Sequence, residues 1–186
     1  YFIPGVRNSV KTVEGKSVQL TVKLKKADLA ALAGMVLEKS GATDVRVEDG
    51  KVSFSGNLGP ILTSATDDAD NLYNNNADAV SQKYDGQPAL KVAAAWWYVL
   101  SPCIKELQKQ YKIGEAQVVD NVLRRAIEPG NNFFSVPPAK VSEHLFLMSA
   151  MLIFYVLYTL WYGFAIFELF EGMGLAMTKS KVKQES

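Results

Sequence analysis

The chain has 186 residues, 48% hydrophobic and 21% charged, with a formal net charge of +1. So apolar a composition excludes a disordered chain, and so balanced a charge gives no electrostatic case for a nucleic-acid partner. A single cysteine excludes an internal disulfide and any multi-cysteine zinc or iron–sulfur site made by this chain alone.

Residues 1–16, with Pro4, Gly5 and Gly15, read as an irregular arm. The opening YFIPGVRNSV lacks the apolar stretch of a signal peptide. The first residue is Tyr1 rather than Met, which is compatible with a removed signal or transit segment. From Ser17 the pattern alternates, with Val18, Leu20, Val22 and Leu24 on one face and Gln19, Thr21, Lys23 and Lys25 on the other. Period two predicts a half-buried strand. Leu29, Leu32, Ala33, Val36 and Leu37 then recur at helical spacing, with Asp28 as the expected N-cap and Gly41 as the residue after the helix. Two alternating segments, TDVRVE and KVSFSG, flank Asp49-Gly50, a dipeptide that suits the positive φ of a primed hairpin turn. Val45, Val47, Val52 and Phe54 are expected to face the helix.

Residues 17–58 therefore read as a β-α-β-β layer, and 59–136 as mainly helical. Within 56–86, rich in Gly, Asn and Asp, a helix is expected from Asp67 to Lys83 with Thr66 as its N-cap, weakened by Asn74-Asn75-Asn76. Pro88 suits a first-turn position and introduces ALKVAAAWWYVL. Ser101-Pro102 is expected to start or kink a second helix that Gly114 ends, and EAQVVDNVLRRAI forms a third, stopped by Pro129-Gly130. Residues 137–144, opening on Pro137-Pro138, read as a stiff hinge.

Residues 145–170 follow, and their first part, LFLMSAMLIFYVLYTLWYGFAIF, carries no charge. A helix over that run is about 34 Å long, enough for a ~30 Å hydrocarbon core. The fold class expected is thus α+β: a small β-α-β-β sandwich layer, a helical segment and one C-terminal transmembrane helix, with 171–186 as a polar basic tail. Near the span, Arg125 and Lys140 precede it and Lys179, Lys181 and Lys183 follow. The positive-inside rule leans toward a cytoplasmic or matrix-like tail and a soluble domain on the exported side.

Within the span, Tyr155 and Tyr158 lie near its middle, where a phenol hydroxyl wants a partner. Thr159 and Gly163 form a small-x-x-x-small pair that permits close helix approach, and Trp161 and Tyr162 are amphipathic rings. These six residues are the expected surface for packing against other membrane helices. The aromatic wall also admits a lipid, quinone or pigment contact, although no cofactor is expected to be bound by this chain alone. His144, Glu168 and Glu171 flank the apolar run as candidate partner contacts. Lys23, Lys25, Arg46 and Lys51 are expected on the outer sheet face, without the aromatic platforms that single-stranded nucleic acid needs.

Phosphate-loop, dinucleotide and nucleophile-elbow patterns are absent. Cys103, after Pro102 in an apolar setting, reads as an inert buried thiol. These features point to a non-catalytic single-pass accessory or scaffold subunit of a larger membrane complex, of an energy-converting (electron-transport) kind. The alternative is a membrane-tethered module whose soluble domain recognises a lipid, a polymer or a peripheral protein.

Overall fold

A computed structural model describes residues 2–136 and 140–174 of the chain. It divides into two compact units, Tyr1–Val136 and Pro137–Ser186. The first mixes helices with a small three-stranded antiparallel sheet, and the second holds one long apolar helix.

The N-terminal residues are helical rather than an irregular arm. Helix α1 spans Ile3–Lys11 with Pro4 in its first turn, where its missing N–H is harmless. Ile3, Val6 and Val10 recur along one face and are buried, and Val13 continues the stripe. Strand β1 (Ser17–Lys23) alternates as expected, burying Val18, Leu20 and Val22. One 3₁₀ turn, Ala27–Leu29, leads into α2 (Ala30–Lys39), so Asp28 sits in that turn and caps nothing. Gly41 follows α2 with φ +90°, which suits a residue without a Cβ.

Strands β2 (Thr43–Glu48) and β3 (Lys51–Asn57) are joined at Asp49-Gly50, whose φ values of 48° and 70° make the primed turn. The sheet order is β1-β3-β2, with Leu20 opposite Phe54, and Val52 flanked by Val22 and Val47. Phe54 and Val52 are buried as expected, but Val47 is 39% exposed at the sheet edge. Val45 and Val47 still face α2 at Gly34 as expected, and Val47 is exposed because β2 is the edge strand; Asp44 adopts φ +52° where the register shifts between Thr43 and Arg46. Gly34 of α2 makes room for Val47, since a Cβ there would stand 2.8 Å from Val47 Cγ2.

Helix α3 (Leu58–Tyr73) begins nine residues before the expected start. Asn57 caps it, its side-chain oxygen accepting from the Gly59 N–H at 3.0 Å and the Gly15 N–H at 3.1 Å. Pro60 falls in the first turn, so the Gly/Pro content that reads as a loop instead belongs to a helix start. Thr66 is therefore no cap; it is buried, and its hydroxyl donates to the Leu62 carbonyl at 2.7 Å. The asparagine run breaks the helix, with Asn75 at φ +59°, before α4 (Ala77–Lys83).

Helix α5 (Ala89–Lys109) runs unbroken through Pro102. The proline removes one intrahelical hydrogen bond. The helix continues because Trp96, Val99, Leu100, Cys103 and Leu107, on both sides of Pro102, are buried against the core. It packs beside α2 and on β1, supplying the further element that three strands need to complete a layer. Helix α6 (Ile113–Val122) contains Gly114 rather than starting after it. A π turn over Leu123–Ile127 joins it to α7 (Glu128–Asn132), where Pro129 occupies the first turn instead of stopping the helix. Gly130 allows α7 to touch α3, because a Cβ would stand 2.6 Å from the Ala69 carbonyl oxygen.

In the second unit the Pro137-Pro138 part of the expected hinge, and tail residues 175–186, lie outside the described residues. Val141–Glu143 forms one 3₁₀ turn. Helix α8 spans Leu145–Gly172, 28 residues with none buried.

Candidate functional site

Helix α8 is the one helix among the described residues that is long and apolar enough to cross a membrane. At a 1.5 Å rise its length is about 42 Å, and its uncharged part covers most of it. Its polar groups are few, so their placement decides what the helix can contact.

At about 100° per residue, Tyr155, Tyr158, Thr159 and Tyr162 fall within one arc of about 100°, with Gly163 at its edge. Phe154 and Tyr158 stack at 6.4 Å between ring centroids, and Tyr158 and Tyr162 at 6.3 Å, making a ladder at i, i+4 spacing. The Thr159 hydroxyl is 2.9 Å from both the Tyr155 and Val156 carbonyl oxygens, so it is satisfied within its own helix. The phenol oxygens have no such partner among the described residues. Trp161 lies off this arc, on the flank next to Phe154. Of the six residues expected to form one packing surface, the helix brings four together and places Gly163 about 40° beyond them on one side and Trp161 about 60° beyond on the other.

Glu168 and Glu171 lie about 60° apart and on the side opposite the tyrosines. His144 precedes the helix, its carbonyl accepting from the Met148 N–H at 2.8 Å. The two glutamates thus do not join the aromatic face, and His144 stands ahead of the helix as its N-cap residue.

Within the first unit the most elaborate polar cluster centres on Asp68, 2% exposed on α3. Its Oδ1 accepts from Lys83 Nζ at 2.7 Å, and its Oδ2 accepts from the Tyr84 hydroxyl at 2.6 Å and the Trp96 indole N–H at 2.8 Å. Lys83 also donates to the Ser64 hydroxyl at 2.8 Å. Three donors suit an ionised carboxylate, which is how a buried charge is tolerated. Burial, then the Asp68 charge, holds the Tyr84 phenol far above its ordinary range, so it keeps the proton it donates to Asp68. The cluster ties α3, α4 and α5 together, and no pattern of motif residues announces it. The signal available in the sequence is positional: Asp68 falls in the stripe Ile61, Ala65, Asp68, Leu72, whose other members are buried apolar residues.

Near it, Arg7 of α1 bridges Asp67 and Asp70 of α3. Partial burial works against the guanidinium charge, but the two carboxylates outweigh it and hold its proton more tightly than usual. On the sheet, Lys23, Lys25, Arg46 and Lys51 are exposed as expected. Lys51 stands between Lys23 and Glu48, so the basic residues there are part-neutralised rather than a uniform patch. Cys103 is buried, and burial followed by the Glu106 charge pushes its thiol well above the usual value. A polar groove of about 680 Å³ runs between α1 and α6, past Ser9, Thr12, Lys16, Asn121 and Arg124. Among the described residues no three His, Cys, Asp or Glu side chains are grouped to hold a metal.

No family model, curated protein or solved structure matches this chain.

Proposed function

We propose that the chain is a non-catalytic, single-pass accessory or scaffold subunit of a larger membrane protein complex, of an energy-converting (respiratory or photosynthetic) kind. The observation that carries this reading is α8: 28 residues, none buried, with phenol hydroxyls near its middle that lipid cannot satisfy. Tyr155 and Tyr158 lie within a few residues of the helix centre, roughly 10 Å or more of rise from either end of a ~30 Å core. A phenol that deep is too far inside to reach the headgroups, so a neighbouring membrane helix is the natural source of an acceptor. Thr159 and Gly163 keep that neighbour's backbone close. A quinone or pigment against the tyrosine ladder belongs to the same reading. The lysines of the tail favour a cytoplasmic or matrix-like C-terminus.

The test is mild-detergent extraction from native membranes, followed by size separation with absorbance spectra and mass spectrometry. Co-migration with a large complex carrying haem or pigment absorbance is the expected result. A small, colourless, monodisperse species removes the subunit reading.

The second reading is a membrane-tethered binding module. The first unit favours it, since every buried core residue lies between Ile3 and Ile127 and none comes from α8. Exchanging α8 for a generic apolar helix separates the two: a tether tolerates the exchange, whereas a packing subunit loses its complex.

A further inference from the structure

The π turn at Leu123–Ile127 inserts an extra residue into the helical ladder between α6 and α7. It leaves Ile127, Glu128, Asn131 and Asn132 facing Ala93, Ala94, Trp97 and Tyr98 of α5 across a hollow of about 280 Å³. The floor is made of small or apolar side chains. One wall is aromatic, since the half-buried Trp97 and Tyr98 line it. The rim is polar, with one carboxylate and two amides, all exposed.

The polar atoms of this hollow are uncommitted. Neither the Trp97 indole N–H nor the Tyr98 hydroxyl has a hydrogen-bond partner among the described residues. Glu128 makes no ion pair within 4 Å, its charge acting only at longer range on Arg124, and the two amides share only a long contact of 3.4 Å. By contrast Trp96, the next residue along, spends its N–H on Asp68 at 2.8 Å. Two adjacent tryptophans therefore divide their work: one is locked in the core and the other faces an open hollow.

We propose that this hollow binds one neutral, hydroxyl-rich ring of the pyranose type. The apolar C–H face of such a ring buries against an aromatic wall, and its hydroxyls both donate and accept. The Glu128 carboxylate accepts, while the Asn131 and Asn132 amides do both. The volume, about 280 Å³, falls just below the usual range of small-molecule pockets, which suits one ring rather than an extended ligand. Aromatic rings beside a carboxylate also suit a quaternary ammonium. Here that choice is disfavoured because Lys26 Nζ already lies 5.4 Å from the Tyr98 ring centroid and repels a second cation. The site belongs to the first unit alone and goes beyond the subunit reading, so either can fail without the other.

The test uses the full chain in a polyoxyethylene-ether detergent, whose headgroup carries neither sugar nor ammonium. Saturation-transfer NMR is run with methyl glycosides of hexoses and N-acetylhexosamines, and with tetramethylammonium. The expected result is saturable binding of at least one glycoside, weakened about tenfold or more in Trp97→Ala. Glu128→Gln and Asn131→Ala, both at exposed positions, are expected to weaken it about three- to tenfold with an unchanged melting temperature. Absence of glycoside binding overturns the proposal. So does binding that survives Glu128→Gln and Asn131→Ala undiminished, or selective binding of tetramethylammonium.

Discussion

The two units handle apolar surface in opposite ways. In the first, Trp96, Tyr84, Phe54 and Leu37 disappear completely into a shared core, and the one fully buried carboxylate has three donors. In α8, Phe154 is 70% exposed and Trp161 79% exposed, and the phenols are unpaired. The helix is long and apolar enough to cross a membrane. The first unit carries its solvent exclusion within itself, whereas α8 has no apolar core within its own unit.

Four experiments break or sharpen that contrast. Trp96→Ala empties the largest core position and deprives Asp68 of a donor. It is expected to destabilise the first unit by about 3–5 kcal/mol, measured by urea unfolding, while leaving carbonate-resistant membrane association intact. Leu157→Arg does the reverse. A cation near the centre of α8 disfavours insertion by about 3 kcal/mol, read in a glycosylation-mapping insertion assay, with the melting of the first unit unchanged. If either substitution moves both readouts, the division of labour is wrong.

Asp68→Asn asks how the buried charge is held. The Trp96 indole can only donate, so the amide oxygen must face it, which turns the amide N–H₂ toward Lys83. Loss of that pairing is expected to cost about 2–3 kcal/mol in urea unfolding, moderated because Lys83 is one-third exposed and remains partly hydrated. An unchanged midpoint would show that the cluster is incidental to stability.

The smallest effect is alkaline. Cys103 and Tyr84 hold their protons more tightly in the folded chain, so the unfolded chain ionises first. Their contribution is intact below the ordinary thiol value near pH 8.5 and declines as pH rises, first through Cys103 and then, above about pH 10, through Tyr84. At pH 9.5 the thiol alone is expected to account for a loss of about 1.4 kcal/mol relative to neutral pH. Cys103→Ala should flatten the pH 8.5–9.5 part of the profile in urea titrations and leave the later decline in place.

Local signals explain which elements were legible in the sequence. The period-two run at Val18–Val22, the Asp49-Gly50 turn and the uncharged stretch of α8 are each decided within a few neighbouring residues. Helices α1 and α3 were not, because Pro4, Gly59 and Pro60 are loop formers in general and helix-start residues only when a cap such as Asn57 is in place. Pro102 misled for a related reason: one lost hydrogen bond is small beside the burial of Trp96, Val99, Cys103 and Leu107 around it. The tyrosine face of α8 was legible because helical phase is fixed by spacing alone. The Asp68 cluster and the Trp97 hollow were not, since each joins residues far apart in sequence, Asp68 with Trp96 and Trp97 with Glu128.

The lone thiol has an experimental use. Cys103 lies inside the core on α5, protonated and shielded, with its sulfur 3.0 Å from the Val99 carbonyl oxygen. An alkylating reagent can reach it only when the first unit opens. The rate of its labelling is then a clock for that opening, readable by mass in a detergent micelle or an intact membrane. Because no second cysteine competes, a fluorophore or cross-linker attached at a newly introduced surface cysteine would report on that position alone.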